Sequence, residues 1–343
     1  MKPIVFATGA TGGHVYPAVA IAQSLENENV VFFTTRDRED FKILSRYDVK
    51  IKKMLCPLDN LVALVWAFFS VMLSFLFNRP KCVVITGGGT TAVVVVGAII
   101  YRIPIVLCEQ NVLPGRVIRA FSRFATKVCV SFEETRAYLR GGEIVCTGNP
   151  VRKNYLGDDD LKRAFKDMDT SLKTILVFGG SQGAQAINNF IMTHFSEFLE
   201  ASVNIVLVSG RSYFKDKGFG THFLKKTQAG KASFFIIDYT EAMDMLYEQA
   251  DLVVSRAGAT SISELIFFHK PAVLVPYPYA MDDHQLLNAK EFVNHYPGKV
   301  CPQDELSVDV VLTALHESTR ATFEKTSDVA TERVAAVIKS SIR

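Results

Sequence analysis

Three glycine-rich turns contain the residues of this chain that are best suited to hold an anion. They read GATGGH at 9–14, GGGTT at 87–91 and GGSQG at 179–183. The first and third follow short runs of apolar β-forming residues, so each is expected where a buried parallel strand passes into a helix. Free backbone N–H groups and the positive end of the helix dipole attract phosphate at such a junction. These turns therefore predict a protein that binds a phosphate-containing ligand.

The first turn also carries His14, a side chain that can take up a proton. At the start of a predicted helix the dipole favours the neutral imidazole, which is the form required of a general base. The alternative is a histidine that only fills the turn. A dinucleotide site is not expected, because the turn lacks the first G-x-G spacing and TTR at 34–36 replaces the ribose-binding acid.

The third turn has the character of a diphosphate cradle. Its glycines allow close approach of the backbone, and Ser181 adds a hydroxyl. No Gly-Lys-Ser or Gly-Lys-Thr follows, so the turn is not a Walker loop and kinase or NTPase chemistry is not expected.

Two further blocks suit a nucleotide sugar. The block SRAGATSISE at 255–264 joins a predicted strand to a helix that starts around 259–261, which places Glu264 near the first turn. That carboxylate either caps backbone N–H groups or accepts two hydrogen bonds from the cis-diol of a ribose. The block DDHQLLN at 282–288 brings amides and acids to another helix start, which suits sugar hydroxyls.

Alternating strand-like and helical segments predict an α/β protein with two parallel sheets. A polar stretch after residue 150 divides the strands into two series, so we predict two Rossmann-like domains, at 1–152 and 153–319, that face each other across a cleft. A helix at about 320–343 is expected to pack back on the first domain. The DDD run at 158–160 is interpreted as a solvated helix start. Strands are predicted at 4–7, 30–34, 83–86, 105–108, 127–131 and 143–147, and then at 174–178, 204–209, 233–237, 252–255 and 272–276.

Composition narrows the class of partner. A formal net charge of +3 on 343 residues, with the positive residues dispersed, makes nucleic acid a poor candidate. Six cysteines without a Cys-x-x-Cys pair predict reduced core thiols in a cytoplasmic protein. The chain enters a strand at once, so no export signal is expected.

An apolar segment at 61–77 has 17 residues without a charge, and lysine and arginine flank it on both sides. A spanning helix needs about 20 such residues, so a true span is the weakest interpretation. The segment is either a helix buried on the sheet or a helix that packs on the sheet and also contacts an anionic membrane surface. The second interpretation is preferred. The expected membrane contacts are Leu64, Trp66, Phe68, Phe69, Leu73 and Phe75.

Six blocks in order resemble one known family. They are TGGHVYPA at 11–18, EQN at 109–111, GNPVR at 148–152, GGSQGA at 179–184, SRxGxTxxSE at 255–264 and DHQxxN at 283–288. Together they are similar to the MurG glycosyltransferases over nearly the whole chain. The resemblance implies a GT-B fold, with the acceptor on the first domain and the UDP-sugar mostly on the second.

The same resemblance implies a reaction and a place in the cell. N-acetylglucosamine (GlcNAc) would move from UDP-GlcNAc, with inversion, to the C4 hydroxyl of MurNAc in lipid I, the undecaprenyl-pyrophosphoryl-MurNAc-pentapeptide. The product would be lipid II for peptidoglycan synthesis. The enzyme would lie peripherally on the cytoplasmic face of the inner membrane. Cell-wall synthesis and division proteins are its expected partners.

The resemblance also implies residue roles. His14 would act as the base or help to position it, and Arg152 and Ser181 would contact the phosphates. Glu264 would hold the ribose, and no metal or other cofactor would be obligatory. The remaining expected contacts to UDP-GlcNAc are Thr11, Gly12, Gly13, Asn111, Thr240, Ala259, Thr260, Ser261, Ile262, Ser263 and Gln285.

The sequence departs from the family at Ala10, which is usually glycine, and at 87–92, where it reads GGGTTA. Three alternatives remain. A UDP-GlcNAc 2-epimerase would have no use for the apolar segment, and a non-catalytic membrane-bound scaffold would have no use for the intact donor blocks. A glycolipid synthase using UDP-galactose and diacylglycerol would share the scaffold.

Overall fold

The computed structural model describes residues 2–9, 12–35, 39–54, 61–152, 159–166, 168–180, 183–218, 223–226, 231–318 and 329–342. The strands are β1 Ile4–Ala7, β2 Val30–Thr35, β3 Lys50–Met54, β4 Cys82–Ile85, β5 Ile105–Glu109, β6 Lys127–Val130, β7 Glu143–Cys146, β8 Thr174–Phe178, β9 Asn204–Val208, β10 Phe223–Lys226, β11 Ser233–Ile237, β12 Leu252–Ser255, β13 Ala272–Leu274 and β14 Gly298–Val300. The α-helices are α1 Gly12–Ser24, α2 Glu39–Leu44, α3 Leu61–Phe77, α4 Ala92–Ile100, α5 Arg116–Phe121, α6 Asp159–Lys166, α7 Gln185–Glu200, α8 Arg211–Asp216, α9 Met243–Gln249, α10 Ala259–Phe267, α11 His284–His295, α12 Val308–Ser318 and α13 Ala330–Ser341.

These elements form two compact units. The first unit is made of Met1–Lys153 with Asp328–Arg343, and the second of Asn154–Ser327. The first sheet has the order β3-β2-β1-β4-β5-β6-β7 and its strands are parallel. The second has the order β10-β11-β9-β8-β12-β13-β14 and is parallel except for β10, which runs antiparallel to β11. The predicted α/β class with two parallel sheets is confirmed, and β10 is an additional antiparallel strand at the edge of the second sheet.

The central strands β1 and β4 of the first unit are apolar throughout because helices cover both faces of the sheet. Along β1, Val5 and Ala7 pack in the core that includes residues of α3, α4 and α5. Ile4 and Phe6 point to the opposite face, where they join a core formed with α1 and α13. The C-terminal helix is therefore part of the first unit, and residues 319–328 of the predicted terminal helix lie outside the described residues.

Three strands that the sequence pattern did not predict, β3, β10 and β14, each form the edge of a sheet. Two of them are rich in lysine, with the sequences KIKKM and FLKK. An edge strand has a neighbour on one side only, so it tolerates charge and lacks the apolar run that marks a central strand.

The cysteines agree with the expected core thiols. Cys82, Cys108, Cys129 and Cys301 are buried and free, and Cys146 is half-buried. Burial raises the pKa of the Cys82 thiol to about 12. Cys56 lies outside the described residues. The acidic run also behaves as expected where it is described, because α6 begins at the exposed Asp159.

Candidate functional site

In the first unit the predicted chemistry lies at the point where the strand order reverses. Strands β1 and β4 are neighbours, although β2 and β3 come between them in the chain. In open α/β sheets ligands bind outside the carboxyl ends of the strands at such a point. The turn after β1 and the turn after β4 meet there, since a Cβ on Gly88 would lie 2.3 Å from the Cα of Gly9. Gly88 has a φ of +91°, so both its conformation and its packing require glycine.

His14 lies in the first turn of α1, as predicted. A Cβ on Gly9 would lie 2.5 Å from its Cδ2, and a Cβ on Gly87 would lie 2.8 Å from its Nδ1 and Cε1. The Nδ1 atom is 3.1 Å from Oε1 of Gln110. The imidazole is thus enclosed by two glycines and one amide.

The loop after β5 is organised by a buried carboxylate. Oε1 of Glu109 accepts hydrogen bonds from the backbone N–H groups of Gln110 and Asn111, at 3.0 and 2.9 Å, and Oε2 accepts one from Gly115 at 2.8 Å. Desolvation raises the pKa of Glu109, and these N–H donors partly oppose that rise. The side-chain amide of Asn111 also donates to Glu109, at 3.1 Å. Asn111 is therefore held at the end of a strand adjacent to β4.

Arg152 lies in the first unit and is buried. Its guanidinium stacks on Tyr16, with Cζ 3.9 Å from the ring centroid, and its Nη1 donates to the hydroxyl of Tyr47 at 3.2 Å. Tyr16 belongs to α1, so Arg152 is brought to the helix that carries His14. Gly12 and Gly13 form the start of that helix, and Thr11 lies outside the described residues.

The second unit has a matching arrangement, because its strand order reverses between β8 and β12. After β8, a Cβ on Gly179 would lie 2.1 Å from the backbone N of Ala184. A Cβ on Gly183, whose φ is +75°, would lie 2.3 Å from the carbonyl oxygen of Ser209. Only glycine fits either position, so the predicted cradle is a tightly packed turn. Ser181 lies outside the described residues.

After β12, helix α10 begins at Ala259, as predicted. Its first intrahelical bond runs from the N–H of Ile262 to Gly258, so the three preceding N–H groups have no acceptor inside the helix. The side chain of Ile262 is fully buried and its N–H bonds to the carbonyl oxygen of Gly258, and its expected contact with the ligand stays a prediction. The other expected contacts on this helix are the half-buried Ala259 and Thr260 and the buried Ser261, Ser263 and Glu264.

Two buried residues support this part of the site. The sequence pattern did not identify Tyr247, whereas Arg256 belongs to the block at 255–264. The hydroxyl of Tyr247 donates to Oε2 of Glu264 at 3.0 Å, and its ring stacks on Phe268 with centroids 4.8 Å apart. Arg256 donates to the carbonyl oxygens of Val275 and Pro276, both at 3.1 Å, and fixes the chain after β13. Tyr247 lies between a leucine and a glutamate and gave no spacing signal of its own.

The remaining predicted donor contacts follow β11 and β13. Thr240 is buried, and its hydroxyl oxygen accepts a hydrogen bond from the N–H of Ala242 at 3.0 Å. Oε1 of Gln285 accepts one from the N–H of Tyr277 at 2.9 Å.

Helix α3 has one buried face and one exposed face. Ala67, Val71 and Phe75 are buried in the core of the first unit. The prediction that Phe75 contacts a membrane is therefore wrong, and Leu64 and Phe68 are partly buried against the same core. The exposed face consists of Val62, Val65, Trp66, Phe69, Leu73, Leu76 and Phe77.

Trp66 is 65% exposed and Phe77 is 84% exposed. None of the helices in the described part of the chain has the length and hydropathy to cross a membrane. Among the flanking cations, Lys52 donates to Ser74 of α3 at 2.8 Å, whereas Lys81 pairs with Glu28 at 2.7 Å.

Two α/β units of this kind, each with glycine turns at its switch point, define the GT-B class of fold. The glycosyltransferase family 28 N-terminal domain matches residues 4–130, and the C-terminal domain of that family matches residues 174–340. The chain belongs to glycosyltransferase family 28 and, within it, to the MurG family.

A relative from Flavobacterium psychrophilum is 33% identical over 323 residues, which are 88% of this chain and 85% of that protein. It is named UDP-N-acetylglucosamine--N-acetylmuramyl-(pentapeptide) pyrophosphoryl-undecaprenol N-acetylglucosamine transferase. The crystal structure of MurG from Acinetobacter baumannii aligns with a TM-score of 0.72 at 25% identity and covers 99% of this chain and 100% of its own. The UDP-GlcNAc 2-epimerase of Neisseria meningitidis aligns with a TM-score of 0.69 at 14% identity, over 99% of this chain and 100% of its own, and this shows a shared fold only.

Proposed function

We propose that this protein transfers GlcNAc from UDP-GlcNAc to the C4 hydroxyl of MurNAc in lipid I and thereby makes lipid II. The observation that carries the proposal is the membership of the MurG family over most of the chain. The residues at the two switch points supply groups suited to each half of the reaction.

The second unit binds the donor in this proposal. The start of α10 and the turn after β8 lie at neighbouring strand ends, and the positive end of a helix dipole favours negative charge. Glu264 accepts hydrogen bonds from the ribose hydroxyls, and the amide nitrogen of Gln285 donates to a hydroxyl of GlcNAc. As the bond between the sugar and the diphosphate breaks, charge grows on UDP, and donors already aimed at it stabilise that charge.

The first unit binds the acceptor and supplies the base. His14 takes the proton from the acceptor hydroxyl as its oxygen attacks the anomeric carbon from the face opposite UDP, which inverts the configuration. Asn111 directly follows Gln110, the residue that contacts His14, in the loop after β5. The side chain of Asn111 approaches the sugar and the diphosphate. The roles of Thr11, Gly12, Gly13, Arg152 and Ser181 in donor binding are part of the same proposal.

In this proposal the exposed face of α3 contacts the membrane that carries lipid I. Trp66 and Phe69 present aromatic surface to solvent, and Ile100 of the adjacent α4 is 52% exposed. Helices α3, α4 and α5 all pack on one face of the sheet, and α5 carries the exposed Arg116 and Arg119. Apolar and cationic groups on one helical layer suit the anionic cytoplasmic surface of the inner membrane, on which the protein lies peripherally.

The first experiment is to measure UDP release from UDP-GlcNAc by the purified protein, with and without lipid I in detergent, and to determine the mass of the product. We expect release that depends on lipid I and a product heavier by one GlcNAc. Appearance of ManNAc without lipid I would identify an epimerase instead. UDP binding without turnover would identify a scaffold.

A further inference from the structure

The imidazole of His14 packs closely against two glycines. A Cβ on Gly9 would lie 2.5 Å from Cδ2, and a Cβ on Gly87 would lie 2.8 Å from Nδ1 and Cε1, so the ring fits only because both positions are glycine. The hydroxyl of Thr86 donates to the backbone carbonyl of His14 at 2.9 Å and holds the main chain in place. These contacts fix the plane of the ring but do not select which nitrogen carries the proton.

The amide of Gln110 makes that selection. Its Oε1 lies 3.1 Å from Nδ1 of His14, and its Nε2 donates to the carbonyl oxygen of Cys108 at 2.9 Å. Rotating the amide by 180° would place two oxygen acceptors together at Cys108. The amide oxygen therefore faces the ring, and because an amide oxygen only accepts, Nδ1 must be the donor.

The orientation of Gln110 is supported by the carboxylate of Glu109. The backbone N–H of Gln110 donates to Oε1 of Glu109 at 3.0 Å, and the same carboxylate accepts from Asn111 and Gly115. Gln110 and Glu109 are buried, so water does not compete for these bonds. The position of the amide is thus set by the loop after β5 and not by His14.

We infer that Gln110 is a positioning residue that holds neutral His14 as the Nδ1–H tautomer and leaves the Nε2 lone pair to take the proton of the acceptor hydroxyl. The inference rests on the proposed function for its chemistry. No hydrogen bond to Nε2 is present among the described residues, which leaves that atom for a ligand.

The proton and electron changes then balance without another group. The hydroxyl proton passes to Nε2 as the acceptor oxygen forms its bond to the anomeric carbon. The bond from that carbon to the UDP oxygen breaks, and its electron pair leaves with UDP. The resulting imidazolium keeps its Nδ1–H bond to Gln110. The wrong tautomer would present an N–H to the acceptor and could not accept its proton.

The test is ¹⁵N NMR of the full chain with labelled histidine, in which His14→Ala identifies the His14 signals among those of the seven histidines. We compare the wild type, Gln110→Met, which lacks an acceptor, and Gln110→Glu, which retains one. Thr86→Val is the matched control, because the hydroxyl of Thr86 bonds to the backbone carbonyl of His14 and not to its ring. Transfer kinetics and UDP binding are measured on the same proteins.

We expect neutral wild-type His14 to be the Nδ1–H tautomer, and we expect this tautomer to persist in Gln110→Glu and Thr86→Val. In Gln110→Met the Nε2–H form should appear, kcat should fall about tenfold, and the Kd for UDP should be unchanged. An Nε2–H tautomer in the wild type, or no change of tautomer in Gln110→Met, would overturn the inference. The wild-type spectrum decides this even if a variant fails to fold. A correct tautomer without any transfer to lipid I would refute the proposed function and leave the assignment of the tautomer standing.

Discussion

The hydroxyl of Tyr247 donates to the carboxylate of Glu264 at 3.0 Å, and both side chains are buried. Tyr247 comes from α9 and Glu264 from α10, so a neighbouring helix orients the carboxylate proposed to hold the ribose. The tyrosine ring is in turn fixed against Phe268 and Phe178.

Tyr247→Phe should weaken UDP binding about tenfold, because a hydrogen bond to a charged group contributes about 1.5–3 kcal/mol. The change should also reduce the preference for UDP over 2′-deoxy-UDP, since a mobile carboxylate discriminates less well. Calorimetric titration with both nucleotides measures this. Tyr213→Phe is the control, because that hydroxyl bonds to the exposed Asn189 at 2.9 Å. An undiminished preference in Tyr247→Phe would contradict the orienting role.

His14→Ala should lower kcat by at least a hundredfold and leave the Kd for UDP nearly unchanged, because general base catalysis contributes about 10²–10⁴ in rate. Steady-state transfer assays and calorimetry provide the two quantities. His194→Ala on α7, where His194 contacts Glu197, serves as the control. Equal losses of turnover and of UDP affinity would remove His14 as the base.

Gly87→Ala should displace the His14 ring, because the added Cβ would lie 2.8 Å from Nδ1 and the φ of +111° disfavours alanine. We expect a fall in kcat and a loss of about 1–3 kcal/mol in the free energy of unfolding. Gly218→Ala separates the two causes, since Gly218 has a φ of +69° but nothing within 4 Å of its Cβ position. Equal falls in kcat for Gly87→Ala and Gly218→Ala would contradict the role of Gly87 in positioning His14.

Trp66→Glu combined with Phe69→Glu should release the protein from vesicles of phosphatidylglycerol and phosphatidylcholine. Each aromatic side chain removes about 150–250 Å² from water when buried, at about 25 cal/mol per Å², so partitioning should weaken at least tenfold. Tyr279→Glu is the matched control, because Tyr279 is 82% exposed on the second unit. Co-sedimentation of the double variant at the wild-type level would exclude α3 as the membrane contact.

Glu109 predicts a pH dependence of stability. Desolvation raises its pKa in the folded protein above the ordinary value of 4.5, so the folded state binds more protons than the unfolded state between those two values. Its contribution to the free energy of unfolding is fully present below about pH 4.5 and is lost as pH rises through the raised pKa. We compare the free energies of unfolding of the wild type and Glu109→Gln, measured in urea from pH 4 to pH 8. As pH rises, the wild type should lose stability relative to Glu109→Gln. A difference that is constant with pH would contradict this.

Much of the architecture follows from local patterns. The apolar runs at 4–7 and 174–178 and the glycine turns after them are dictated by chain properties within a few residues, and the structure places β1 and β8 at those positions. Gly179 and Gly183 cannot be replaced because backbone atoms approach too closely, which a sequence can indicate by residue type alone. The edge strands β3, β10 and β14 lack such a local signal because half of their surroundings is solvent.

The sequence by itself determined the class of fold, the order of the donor and acceptor blocks and the position of His14 at a helix start, since each depends on neighbours along the chain. The tertiary structure alone decided which side chains support them. Gln110 reaches His14 across 96 residues only because β4 lies between β1 and β5, and Tyr247 reaches Glu264 only because α9 packs beside α10. Folding likewise selects which face of α3 enters the core, because the uniformly apolar sequence at 61–77 does not distinguish Phe75 from Trp66, whereas packing on the sheet buries one and exposes the other.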